Sequence, residues 1–102
     1  MIKVKIFESD DKITRIQIKG HAKSNEYGKD LVCAGVSSIA VGILNTIEEY
    51  QKKVSVIMDE GLIDISVLEQ DYELDIILNT LIIQLKTIKE SYSKYIRIEK
   101  EV

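Results

Sequence analysis

Residues 54–69 read VSVIMDEGLIDISVLE. Val54, Val56 and Met58 alternate with Ser55, Ile57 and Asp59, and after the turn Asp59-Glu60-Gly61 the alternation resumes at Ile63, Ile65 and Val67. Two period-two runs joined by a glycine-bearing turn predict a β-hairpin. The segments on either side repeat on a different period. Downstream, Leu74, Ile77, Leu78, Leu81, Ile82, Leu85 and Ile88 fall at helical spacing, which predicts an amphipathic helix from Asp71 to Tyr92. Upstream, Leu31 to Gln51 also reads as a helix, with no charge until Glu48 and with the small residues Ala34, Gly35, Ser37, Ser38, Ala40 and Gly42. Glycine in a helix costs about 1 kcal/mol relative to alanine, so Gly35 and Gly42 imply that another backbone comes close. A helix apolar all round is covered on more than one side, and in a chain of 102 residues a second subunit is a candidate cover.

Further out, Ile2, Val4 and Ile6 alternate with Lys3 and Lys5, ESDDK makes a polar turn, and ITRIQIKG supplies a second strand ended by Gly20. Ile13 is out of phase with Ile16 and Ile18, which predicts a bulge or a late strand start. Residues 22–30 are polar and read as a loop, and YIRIEKE closes the chain as a last strand. The order is ββαββαβ. It predicts a two-layer α+β domain: a mixed or antiparallel five-stranded sheet with two helices packed on one face. By length, residues 1–102 form one domain.

Composition narrows the function. A net charge of −3, with Lys52-Lys53 as the paired basic spot, argues against a nucleic-acid surface. The longest charge-free run, Leu31 to Ile47, is broken by Cys, Ser, Asn and Thr and is read as too polar to span a membrane. One cysteine makes no internal disulfide, so a reducing cytoplasm is the expected location. One histidine and one cysteine give two of the four ligands zinc takes, so neither metal nor cofactor is expected.

The chemistry-bearing segment is 20–38, GHAKSNEYGKDLVCAGVSS, which holds the single histidine and the single cysteine. His21 follows the second strand and Cys33 opens the first helix. A helix N-terminus favours thiolate, imidazole can take the thiol proton, and first-turn N–H groups can hold an oxyanion. The plainer uses stand beside this one: Cys33 as a small buried hydrophobe, His21 as an ordinary hydrogen-bonded residue. Asp30 is either the helix N-cap or the group that orients His21. Ser37 lies one turn beyond Cys33 on the same face. Gly28 gives the intervening loop freedom to close, and Tyr27 lines a pocket or lies on the surface. Asp59 and Glu60 read as plain turn residues.

Gly20-His21-Ala22, then Gly28, Asp30, Cys33, Ala34 and Ser37 in order, resemble the ribosomal-processing cysteine protease Prp family, along essentially the whole chain. The resemblance implies a cytoplasmic homodimer that removes an N-terminal extension from a large-subunit ribosomal protein, cutting after aromatic or apolar residues. It implies Cys33 as nucleophile, His21 as general base, Asp30 and Ser37 in support, and a substrate loop that includes Gly20, Ala22, Tyr27, Gly28 and Ala34. Neither direct nucleic-acid binding nor a membrane belongs to that picture. The rival readings are a ribosome-associated module that grips a peptide without cutting it, and a redox-sensing thiol acting through an intermolecular disulfide.

Overall fold

The structure, a computed structural model, describes residues 1–20 and 29–101, with the side chains of Lys29 and Asp30 outside that description. Its elements are β1 (Ile2–Ser9), β2 (Lys12–Lys19), α1 (Lys29–Glu49), β3 (Val54–Asp59), β4 (Leu62–Val67), α2 (Tyr72–Tyr92) and β5 (Ile96–Glu101). This is the expected order. The five strands form one open sheet, β3-β4-β2-β1-β5, antiparallel throughout except where β5 lies parallel to β1.

Alternation puts the apolar rows on one face. Ile2 lies opposite Ile96, Val4 opposite Ile18, Ile6 opposite Ile16, and Ile16 in turn opposite Ile65. All of these are buried, together with Leu74, Leu78, Leu81 and Leu85 of α2 and Val32, Val36, Ala40, Ile43 and Ile47 of α1. At about 1.5–3 kcal/mol for each large aliphatic side chain taken out of water, this layer is the main stabilising term.

Ile13 joins the core through the expected irregularity. The register shifts after Phe7, so that Glu8 pairs with Ile13 and Thr14 is the extra residue. The bulge frees the Ile13 backbone groups from the ladder, and α2 with its leading segment satisfies them: Ile13 N donates to Asp75 Oδ1 at 2.9 Å, and Gln70 Nε2 donates to Ile13 O at 2.7 Å. The turn between β1 and β2 uses Asp10 and Asp11, both with positive φ, the geometry of a tight hairpin connection.

Helix α1 runs from Lys29 to Glu49, starting and ending two residues earlier than the sequence pattern indicates, so residues 29 and 30 belong to the helix and not to the loop. Its two glycines part company. A methyl group at Gly35 would come within 3.3 Å of Ile88 Cδ1, so close packing with α2 accounts for it; at Gly42 the same group would meet nothing within 4 Å. By length and composition Leu31–Glu49 is apolar enough to cross a membrane, with a mean hydropathy of 1.6, so the reading of this stretch as too polar is corrected. In this fold 28% of that window is buried, so the core stripe takes up only part of its apolar surface.

Candidate active site

Cys33 is the fifth residue of α1, half-buried and packed against the core. With Lys29 as the first helical residue, the unpaired N–H groups among the described residues are those of residues 29–31, in the turn before the thiol. Helical side chains lean toward the N-terminus, which draws the Cys33 sulfur over that turn. The helix-terminal donors lie upstream of the cysteine itself.

The early helix start corrects the capping role given to Asp30. With Lys29 already helical, Asp30 sits inside the first turn. Gly28, His21, Ala22 and Tyr27 lie outside the described residues, as does the side chain of Asp30.

Three of the singled-out residues come together. Gly20, Cys33 and Ser37 line one cavity of about 240 Å³. Gly20 is held there by its neighbours: its N–H donates to Gly61 O at 2.9 Å, its φ is +113°, and a side chain on it would collide with the Met1 carbonyl oxygen. Only glycine accepts that conformation against that backbone. The end of β2, to which His21 is bonded, is thus fixed beside the thiol. Ala34, one residue past Cys33, is on the exposed side of α1 and does not line the cavity.

The opposite wall comes from residues that sequence reasoning passed over. Met58, Asp59, Gly61 and Leu62, at the tip of the β3–β4 hairpin, face the cysteine across the cavity. Asp59 does act as a turn residue, its Oδ1 accepting from Glu60 N at 2.7 Å, and Gly61 takes the positive φ of 68° that the turn needs. Their position near Cys33 follows from β4 pairing with β2, which sets Leu62 opposite Lys19 and brings the tip to Gly20. No local signal announces a contact between residues about forty positions apart. The remaining walls, Ile2, Ile18, Val36, Val41 and Ile63, are apolar. A site that sets one thiol among mostly apolar walls, with Ser37 and Asp59 as its polar members, suits an acyl group carrying an apolar side chain.

The profile of the cysteine protease Prp family matches residues 1–97. A ribosomal processing cysteine protease Prp of Staphylococcus aureus is 36% identical over 103 residues, covering 96% of this chain and 97% of that protein. The crystal structure of an essential ribosomal processing protease Prp from S. aureus in complex with a substrate peptide superimposes with a TM-score of 0.92 at 33% identity, covering 99% of this chain and 100% of that one. The S. aureus protease in complex with a covalently linked product peptide does so with a TM-score of 0.88 at 36% identity, with the same coverage. The fold, the helix-borne thiol and these likenesses define the class: the protein is a cysteine protease. It belongs to the ribosomal processing cysteine protease Prp family.

Proposed function

We propose that this chain is a cytoplasmic endopeptidase that removes the N-terminal extension of a large-subunit ribosomal protein during ribosome assembly, cutting just after aromatic or apolar residues. The observation that carries this reading is Cys33 on the wall of an apolar cavity closed by Gly20 and Ser37, in a chain so similar to a protease bound to its substrate peptide. In this reading His21 takes the Cys33 proton and the thiolate attacks the peptide carbonyl. The tetrahedral oxyanion is held by N–H groups of the first turn of α1. Collapse expels the amine, protonated by His21, and leaves a thioester on Cys33, which water then hydrolyses with His21 again as base. Ser37 supports the site from one turn along α1, Asp30 from the turn before it. Gly20, Ala22, Tyr27, Gly28 and Ala34 belong to the segment that meets the substrate. Residues 1–102 work as one domain, and neither nucleic acid nor a membrane is assigned a role.

The protein acts as a homodimer in this reading. The support is the exposed face of α1, where Ala34, Ser38, Gly42 and Asn45 carry neither charge nor bulk, beside the exposed Ile76 and Ile83 of α2. Such an uncharged face with open space at a helical glycine suits close approach of a second helix.

The test uses a synthetic peptide spanning the ribosomal-protein extension, with fragments read by mass spectrometry. Wild type is expected to cut one bond after an apolar residue, while Cys33→Ala and His21→Ala lose activity by about 10³-fold or more. Binding without cleavage by all three proteins would leave a peptide-gripping module instead.

A further inference from the structure

We infer that the helix-free face of the sheet carries a phosphate-binding row, Arg97, Lys3 and Lys19, which holds the backbone of single-stranded RNA beside the active site. The inference goes beyond the reading above, which gives nucleic acid no role; only the choice of RNA among polyanions draws on it. Its starting point is a pairing that costs the fold stability. Lys3 lies opposite Lys19 on one side and opposite Arg97 on the other, so three cations stand in one row across β2, β1 and β5. Their chain neighbours Ile2, Val4, Ile18 and Ile96 are buried under the helices. Alternation therefore turns all three cations to the open face, where each is exposed. Like charges directly opposite each other on neighbouring strands are destabilising. The net charge of −3 is a sum over the whole surface and does not remove this local surplus.

The carboxylates of this face leave two of the three cations unmatched. Asp64 takes Arg15 at 2.6 Å, Glu101 reaches Lys5 at 3.8 Å, and Glu99 reaches Arg97 Nε at 3.6 Å, a long and exposed contact. Lys3 and Lys19 form no ion pair among the described residues. Lys3, Lys5, Gln17, Lys19 and Gly20, with Met1, line a hollow of about 280 Å³. Three lysines round one hollow call for an anion.

The chemistry favours a phosphate backbone over an acidic peptide. Lysine binds phosphate as a point charge, without the paired geometry through which arginine grips a carboxylate. Neighbouring strands lie about 4.8 Å apart, so the row spans about 10 Å from Arg97 to Lys19. That length meets about three phosphates of a stacked strand. The hollow sits on β1 and β2, interior strands with no free edge for a peptide to extend. Contacts of this kind hold a backbone without reading its sequence. RNA is the polyanion that accompanies ribosomal proteins. Gly20 lines both this hollow and the Cys33 cavity, so RNA on the row lies next to the thiol. A protein substrate that travels with RNA is thereby brought to the nucleophile.

The experiment titrates the whole chain into fluorescein-labelled single-stranded RNA of mixed sequence and reads anisotropy at about 50 and about 200 mM salt. Wild type is expected to bind with a Kd of about 10⁻⁴ M at the lower salt. Its log affinity should fall against log salt with a slope of about −2, for three cations at about −0.7 each. Lys3→Glu and Lys19→Glu should each weaken binding about tenfold or more, while Lys3→Arg keeps it. Lys89→Glu, on α2, carries the same change of charge and should bind within about twofold of wild type. Lys3→Glu sets a carboxylate between Arg97 and Lys19, so its melting temperature should rise by about 2 °C or more, which separates lost binding from lost folding. Equal binding by wild type and Lys3→Glu, or no binding at the lower salt, would overturn the proposal. Tighter binding of poly-glutamate than of RNA would overturn it too and assign the row to an acidic protein. Displacement of the RNA by pyrophosphate at equal charge concentration would overturn it in favour of a small phosphate compound. RNA binding by a wild type that cuts no peptide would overturn the protease reading and leave the row standing.

Discussion

Asp64 is the buried charged residue on the side of the sheet away from the helices, 6% exposed, and three donors hold it there. Arg15 Nε reaches its Oδ1 at 2.9 Å, Arg15 Nη2 its Oδ2 at 2.6 Å, and Gln17 Nε2 the same Oδ2 at 3.1 Å. The guanidinium also lies over the Phe7 ring, 4.9 Å from its centre. The Arg15 hydrogen bonds hold the Asp64 carboxyl below its usual range, against the opposing pull of burial, with Gln17 adding to them. A carboxyl lowered in the folded state adds stability above its unfolded pKa, and that stability is lost as pH falls through the folded value. Thermal denaturation of wild type should therefore drop in temperature below pH ~4. Asp64→Asn should lose about 1–3 kcal/mol at pH 7 and show a smaller acid-dependent decline, both visible in melts at pH 7 and pH 3. Equal acid sensitivity in the two proteins would remove this cluster as a cause.

At the scale of elements, α2 is the piece most plainly written in the sequence. Asp71 caps it by accepting from Leu74 N at 2.8 Å, and its apolar stripe is buried as its spacing predicts. Leu78 is fully buried between the sheet and α1, so Leu78→Ala should destabilise the protein by about 2–5 kcal/mol, read from the denaturant midpoint at unchanged slope. A loss below 1 kcal/mol would mean the helix layer collapses around the gap. Helix α1 is less legible, for a physical reason. Its apolar residues are spread around the axis, so periodicity marks neither its ends nor its covered side, and the reading placed its start two residues late. That shift moved Asp30 from cap to first turn. The β3–β4 hairpin was legible as pairing and turn, but its exposed apolar row was not, because alternation tells which residues share a face and not whether anything covers it.

At the scale of the whole molecule, the open question is what meets the charge-free outer face of α1. If a second copy lies there, Gly42→Leu should shift wild-type dimers toward monomers in analytical ultracentrifugation while the far-ultraviolet circular dichroism stays unchanged, since the site is open within one chain. Unchanged sedimentation would place the contact elsewhere.

Alone, the sequence determined the seven elements, their order, an irregularity at Ile13 and the core stripe of α2, and it singled out Cys33, Gly20 and Ser37, which the fold brings to one cavity. Each of these rests on local periodicity, local turn chemistry or a motif, which the chain carries within a few dozen residues. Only the tertiary structure decided the strand order, the parallel seating of β5 on β1, and the placing of the β3–β4 tip across from Cys33. Those depend on pairings between distant segments, whose free energy comes from burying a shared apolar face and is invisible to any single stretch. The cavity at the thiol is a product of that pairing: β4 on β2 brings the hairpin tip to the site.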